Sequence, residues 1–128
     1  TTAKMLYEVL KDQKVDVRLV GNIGNPVLLE KNIKNNTVFV VEASSYQLEY
    51  SKLFKSNISL ILNISPDHLE RHKTINKYVR AKFKLVKNQS KKGFAIVLSL
   101  IKRFLSISSV AIFLFPALSL GKILSNPE

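Results

Sequence analysis

The stretch TVFVVEASSYQLE, residues 37–49, decides the fold. Its first five residues are all β-branched or aromatic, which is typical of a strand buried in a parallel sheet. Glu42 follows directly, and a polar cluster begins where the strand ends. Because α/β proteins bind ligands at the carboxyl ends of parallel strands, we expect this cluster to contribute to function.

Helical and strand-like segments alternate on both sides of this stretch. Helical spacing of apolar residues predicts helices over 3–12 and 74–89 and a short helical turn over 27–31. Further apolar runs predict strands over 15–20, 56–63 and 94–98. The alternation predicts an α/β fold of three layers, with a mainly parallel sheet flanked by helices. We expect one domain over 1–97, followed by an apolar tail over 98–128.

The chain is strongly basic and has no cysteine. Its 128 residues carry a formal charge of +11, with a pI near 10.0. The lysines are scattered, which favours a solvated basic surface over a nucleic-acid interface. The absence of cysteine excludes disulfides and thiolate metal sites and fits a reducing cytoplasm.

The first polar cluster is GNIGNP, residues 21–26. Its two glycines permit positive φ or close approach of a ligand, and Asn22 can both donate and accept hydrogen bonds. Two interpretations are open: a ligand-binding loop, or a turn capped by asparagine before a helix.

The second cluster begins at Glu42. A carboxylate directly after a buried strand can hold Mg²⁺ beside a nucleotide phosphate, because this ion prefers oxygen ligands. The alternative is an acid that caps the next helix or pairs with a lysine. Ser44 and Gln47 are suited either to bind a polar substrate or to satisfy the loop.

The third cluster, residues 63–72, contains both histidines of the chain. His68 and His72 are four residues apart, which on a helix would put them on one face as a transition-metal pair. Surface histidines beside charged neighbours are the more frequent explanation of such a pair.

Lys82 stands out because of its helical position. Counting from Ile75 and Tyr78, it falls in an apolar stripe that continues to Leu85 and Val86, where an ammonium group is costly. Either the lysine extends to the surface, or its amine reacts or is modified in a site.

Four segments together resemble the Mur ligase family, and within it the branch that adds D-glutamate. They are residues 22–24, 42–49, 63–68 and 78–82, which occur in the family's order over the first ninety-odd residues. The resemblance implies the family's P-loop-like central ATPase domain. It also implies a cytoplasmic, monomeric enzyme of peptidoglycan synthesis that binds no nucleic acid.

The family's reaction has two steps. ATP phosphorylates the carboxylate of UDP-N-acetylmuramoyl-L-alanine, and the amine of D-glutamate then displaces phosphate from the acyl phosphate. By resemblance, Glu42 binds Mg²⁺ at the ATP phosphates, while His68 and a carbamylated Lys82 serve a second Mg²⁺ and are the catalytic residues.

The resemblance also implies residues for the substrate and for ATP. Asn22, Ser44, Gln47 and His68 correspond to positions that contact the muramoyl-alanine end of the substrate. Thr1 stands where the family's phosphate loop ends, so we expect it beside ATP. The glycines and lysine of that loop would precede Thr1, and the 128 residues by themselves are therefore expected to lack ligase activity.

Other functions are open from the sequence. A sister Mur ligase or a folylpolyglutamate synthase relative would share several of the motifs, and a non-enzymatic binding module would explain the basic charge. The tail could also be a membrane span, since residues 104–121 contain no charged residue. A foreign ending and a helix packed on the sheet are the other two interpretations of the tail.

Overall fold

The computed structural model describes residues 1–65 and 67–97, and the backbone of residues 113–116. The chain divides into two compact units, Thr1–Ser44 and Ser45–Glu128. The helices and strands are, in order, α1 (Thr2–Asp12), β1 (Val17–Gly21), β2 (Val38–Glu42), α2 (Ser45–Tyr50), β3 (Ile58–Ile61), α3 (Leu69–His72), α4 (Ile75–Lys87), β4 (Phe94–Val97) and β5 (Phe113–Pro116), with a 3-10 turn at Val27–Leu29.

The first unit consists of a parallel strand pair and one helix. β1 and β2 pair in register from Val17 opposite Val38 to Gly21 opposite Glu42. α1 contacts both strands. Val20, on β1, is fully buried. β-branched residues suit these strands because their side chains pack well on a pleated, buried surface.

The second unit has a three-stranded sheet in the order β3-β4-β5. β3 and β4 are parallel, and β5 is antiparallel to β4. α4 begins after Thr74, whose hydroxyl accepts a hydrogen bond from the Lys77 N–H at 3.2 Å, and it packs against β3 and α2. The core of this unit consists of Ile61, Ile64, Tyr78, Phe83, Val86, Ala95 and Val97.

The predicted α/β class with parallel strands is confirmed, and each predicted helix and strand lies within two residues of the observed bounds. The expectation of one sheet needs correction. The described strands form two sheets, one in each unit, because hydrogen-bonded pairing links β1 only to β2 and links β3 to β4. α2, α3 and β5 were not predicted.

The predicted tail, residues 98–128, lies outside the described residues except at β5. A membrane span, a foreign ending and a helix on the sheet all remain predictions for the rest of it. Within the described part of the chain, no helix combines the length and the apolar character that crossing a membrane requires.

Candidate functional site

In the first unit, two predicted site residues meet at the carboxyl ends of β1 and β2. Gly21 ends β1 opposite Glu42, the last residue of β2. The backbone N–H of Asn22 donates to the Glu42 carbonyl oxygen at 2.8 Å. The structure therefore brings Asn22 and Glu42 together, at the edge where a parallel sheet offers ligand contacts.

The loop after β1 folds tightly back on the strand. The Asn25 N–H donates to the Leu19 carbonyl at 3.1 Å, and the Gly21 N–H donates to the Asn25 carbonyl at 3.2 Å. Gly24 has φ +79°, and a Cβ there would lie 2.1 Å from the Leu19 oxygen. This turn requires glycine and fixes the backbone next to Asn22.

The side chain of Asn25 links the loop to Glu30. Its amide Nδ2 donates to Glu30 Oε1 at 2.9 Å, and the other Glu30 oxygen pairs with Arg18 Nε at 3.2 Å. The interpretation of this cluster as a turn built on asparagine is thus supported at Asn25. The proposed ligand contact of Asn22 stays a prediction.

Glu42 is half-buried at the end of β2. Among the ion pairs of the described residues none uses its carboxylate, so the alternative of a lysine partner finds no support in this part of the chain. A strand-end carboxylate offers the oxygen ligands that Mg²⁺ prefers, so this residue fits the metal.

Thr1 and Ser44 flank the secondary structure of the first unit. Thr1 caps α1: its hydroxyl accepts a hydrogen bond from the Lys4 N–H at 3.4 Å. Ser44 follows β2 by two residues and is half-buried. Gln47, in the second unit, is exposed on α2. Binding of ATP or substrate by these three residues stays a prediction.

In the second unit, His68 lies in the loop that follows β3. It adopts the left-handed conformation, with φ 53° and ψ 33°, at the residue before α3. Its N–H donates to Asp67 Oδ1 at 2.9 Å, and its ring nitrogens lie 3.3 Å from Asp67 Oδ2 and 3.6 Å from Glu70 Oε1. The side chain is 42% exposed and reaches solvent, as a substrate contact requires.

The two histidines have different environments. His72 is only 4% exposed, and its Nε2 lies 3.0 Å from the Ser45 hydroxyl oxygen. The expectation of two surface histidines is therefore wrong for His72. His68 precedes α3 in a left-handed conformation, so helical spacing does not relate the two rings. In the described residues, moreover, no group of three or more His, Cys, Asp or Glu is arranged to hold a metal.

Lys82 runs along the side of the apolar stripe and does not enter it. Its neighbours Ala81 and Phe83 are buried, whereas Lys82 is half-buried. Its Nζ donates to the Asn63 carbonyl at 3.5 Å and lies 4.9 Å from the centre of the Tyr78 ring. The predicted inward position is thus wrong in detail, because a flanking position leaves the amine partly solvated.

The position of the Lys82 amine is nevertheless informative. Asn63 follows β3 by two residues, so the amine reaches the loop that leads to His68. As an ammonium group, Lys82 does not fit a metal. Only carbamylation would give it the oxygen ligands that Mg²⁺ accepts, and that modification stays a prediction.

Two tyrosines that were not predicted as site residues lie in this region. The Tyr46 ring lies 4.9 Å from the His68 ring, and its hydroxyl donates to Glu70 Oε1 at 3.3 Å. Partial burial raises the pKa of Tyr46, and the negative charge of Glu70 is the next largest cause. Tyr78 is 3% exposed. Only the position of Tyr78 in the apolar stripe signalled its burial.

A comparison with protein families shows which family the chain belongs to. The family model of the Mur ligase middle domain matches residues 1–111. The chain belongs to this family. The Mur ligase resemblance is thereby confirmed, whereas the predicted domain boundary at residue 97 stays a prediction.

Several curated relatives of this Mur ligase middle domain carry one name, UDP-N-acetylmuramoylalanine–D-glutamate ligase. Those of Caldicellulosiruptor bescii and Lachnoclostridium phytofermentans are each 43% identical over 98 residues, which is 76% of this chain. The relative of Clostridioides difficile is 41% identical over the same length. The match covers 21 to 22% of these relatives, so the chain spans about a fifth of their length.

Proposed function

We propose that this Mur ligase middle domain serves an ATP-dependent ligase that joins D-glutamate to UDP-N-acetylmuramoyl-L-alanine through an acyl phosphate. The observation that carries the proposal is the 43% identity over 98 residues to relatives named for D-glutamate ligation. These names favour that activity over a sister ligase or a folylpolyglutamate synthase. In this proposal the protein works in the cytoplasm as a monomer, and its product is a precursor for peptidoglycan synthesis.

Glu42 is the proposed ligand of Mg²⁺. When bound, the ion neutralises charge on the ATP phosphates. The hydrogen bond from the Asn22 N–H to the Glu42 carbonyl oxygen, 2.8 Å, supports this role because it fixes the backbone from which the carboxylate extends. A backbone that is already fixed loses little further freedom when the carboxylate binds a cation.

His68 and Lys82 are the proposed catalytic residues on the second unit. His68 is held by backbone and ring contacts to Asp67, and the Lys82 amine reaches the carbonyl of Asn63 in the same loop. In carbamylated form Lys82 would present oxygen atoms to a second Mg²⁺. Both residues act where negative charge develops as phosphate is transferred and displaced.

Substrate and nucleotide contacts complete the proposal. Asn22, Ser44, Gln47 and His68 bind the muramoyl-alanine end of the substrate through hydrogen bonds. Thr1 caps α1, an eleven-residue helix whose first N–H groups favour an anion, and this supports a position beside the ATP phosphates.

A chimeric ligase tests the activity. The 98 matching residues of this chain replace the corresponding segment of the Caldicellulosiruptor bescii relative. We expect ADP release that depends on both UDP-N-acetylmuramoyl-L-alanine and D-glutamate. A folded chimera that releases ADP with another amino acid, but not with D-glutamate, contradicts the proposal.

Two carboxylate variants of the chimera test the assigned role of Glu42. We expect Glu42→Gln to lower kcat about a hundredfold or more, because a neutral amide holds Mg²⁺ less well and the charge stabilisation that the ion would supply is lost. Glu8→Gln is the matched control. Glu8 pairs with Lys4 at 2.7 Å on the exposed side of α1, and we expect its loss to leave kcat unchanged.

A further inference from the structure

The ring of His72 is a buried polar group that the proposed reaction does not use. It is 4% exposed, and its Nε2 lies 3.0 Å from the hydroxyl oxygen of Ser45, which is itself 3% exposed. Burying an imidazole is costly unless it is hydrogen-bonded, and Ser45 meets that requirement. The hydrogen bond explains why His72 is tolerated in the interior but not what its ring does there.

The His72 ring contacts two tyrosines. It stacks on Tyr46 with the ring centres 5.6 Å apart and the planes 13° from parallel. It meets Tyr78 edge to face, with centres 5.5 Å apart and planes at 60°. Both arrangements are favourable aromatic geometries, so a single imidazole fixes the separation and tilt of the two tyrosines.

Each tyrosine in turn contacts one of the two proposed catalytic residues. The Tyr46 ring lies 4.9 Å from the His68 ring, and the Tyr78 ring lies 4.9 Å from Lys82 Nζ. A continuous row of contacts therefore runs from His68 through Tyr46, His72 and Tyr78 to Lys82. All five residues belong to the second unit.

We propose that His72 is a positioning residue: its ring holds Tyr46 and Tyr78, and through them it orients His68 and Lys82. The role given to those two residues rests on the proposed function, whereas the row of contacts does not. His68 sits in a loop and is 42% exposed, and its ring partners Asp67 and Glu70 are themselves 61% and 73% exposed. The Tyr46 ring, stacked on His72, therefore adds a firmer support for the orientation of the His68 ring.

The test uses the whole 128-residue chain and the NMR signals of histidine rings. The sequence contains two histidines, so any substitution of His72 leaves His68 as the only source of such signals. Because the two ring centres are 4.9 Å apart, we expect the Tyr46 ring current to displace the His68 signals from those of a solvated histidine. Their position at one fixed pH therefore reports whether Tyr46 still holds the His68 ring.

Three substitutions separate the ring of His72 from its hydrogen bond. His72→Ala removes both, and we expect the His68 signals to move toward the solvated position. His72→Asn keeps a polar partner for Ser45 without a ring, and the same movement is expected. His72→Phe keeps the ring but leaves Ser45 without its bond, so the chain should be less stable while the His68 signals stay near those of the wild type.

Val97→Ala is the matched control, because Val97 is a buried core residue of the same unit outside the row of contacts. It should lower stability without moving the His68 signals. In the chimeric ligase, His72→Ala should lower kcat about tenfold or more, with an unchanged KM for ATP and recovery in His72→Phe.

Unmoved His68 signals in the folded His72→Ala chain would overturn the proposal and leave His72 as an ordinary core residue. Equal movement in Val97→Ala would also overturn it, because the signals would then report stability alone. An inactive chimera with His72 intact speaks against the proposed function only, since the spectra do not depend on turnover.

Discussion

At the scale of single residues, two positive φ angles predict opposite effects of substitution. Gly21 has φ +104°, and a Cβ there would lie 2.3 Å from the Glu42 carbonyl oxygen. We expect Gly21→Ala to lower the free energy of unfolding by roughly 2 kcal/mol or more, because strain at such angles costs about 1–3 kcal/mol and a backbone clash adds to it. Urea denaturation of the chain measures the change.

Lys14 provides the control for this prediction. It has φ 62° two residues beyond the end of α1, a place where glycine is favoured. We expect Lys14→Gly to raise the free energy of unfolding by up to about 1 kcal/mol. A residue with a side chain is penalised in the left-handed backbone conformation, and glycine is not. If both variants shifted stability in the same direction, backbone strain would not explain either.

The same local reasoning predicted some site residues and missed others. The position of Glu42 at a strand end was predictable, because five β-branched or aromatic residues precede it; its role as a metal ligand stays a prediction. The burial of His72 was not, because it depends on Ser45 and Tyr46, residues more than twenty positions away. Helical spacing also gave a wrong prediction that His68 and His72 share one helix face, because His68 has a left-handed backbone and precedes α3.

At the scale of elements, the start of the β1–β2 pair predicts a dependence on pH. Asp16 precedes β1 and accepts a hydrogen bond from the Thr37 hydroxyl at 2.7 Å, just before β2. That bond holds the pKa of Asp16 below its ordinary value, and the hydrogen bond from the Arg18 guanidinium is the next largest cause. The carboxylate thus ties the two strands together at their amino ends.

The sign of the effect follows from that lowered pKa. A carboxyl whose pKa is lower in the folded state contributes stability above its unfolded pKa of about 3.9, and the contribution is lost as pH falls through the folded pKa. We expect Asp16→Asn to be less stable than the wild type at pH 7, with the difference shrinking below pH 4. Urea midpoints across this range test it, and a difference that grows on acidification contradicts it.

Elements differed in how far the sequence could predict them. β1 to β4 are short and mostly apolar, and α4 has a capping threonine and an apolar stripe, so local signals were sufficient. α2 is six residues long and mostly polar, and Leu48 is its buried apolar residue. So short a helix depends on packing against α4, which no local pattern reveals.

At the scale of the whole molecule, periodicity predicted the class but not the pairing. Alternating helices and apolar strands indicate parallel sheets, and both β1–β2 and β3–β4 are parallel. Which strands become neighbours depends on contacts distant in sequence. The division into two sheets was for this reason not predictable from local signals, nor was the antiparallel addition of β5.

The net charge of +11 leads to a prediction for the entire chain. Twenty basic residues against nine acidic ones repel one another more when the chain is compact than when it is unfolded. Raising the ionic strength from about 0.01 M to about 0.15 M shortens the screening length from about 30 Å to about 8 Å. We therefore expect the urea midpoint to rise with added sodium chloride over this range.

Surface ion pairs act in the opposite direction, but they are weak. Lys4 and Glu8 are about half-exposed, and such pairs contribute at most about 1 kcal/mol. Replacing the exposed Lys91 and Lys92 with glutamine is the control, because it lowers the charge from +11 to +9 and should reduce the salt dependence. A midpoint that falls with salt would mean that attraction between opposite charges outweighs the repulsion of the basic excess.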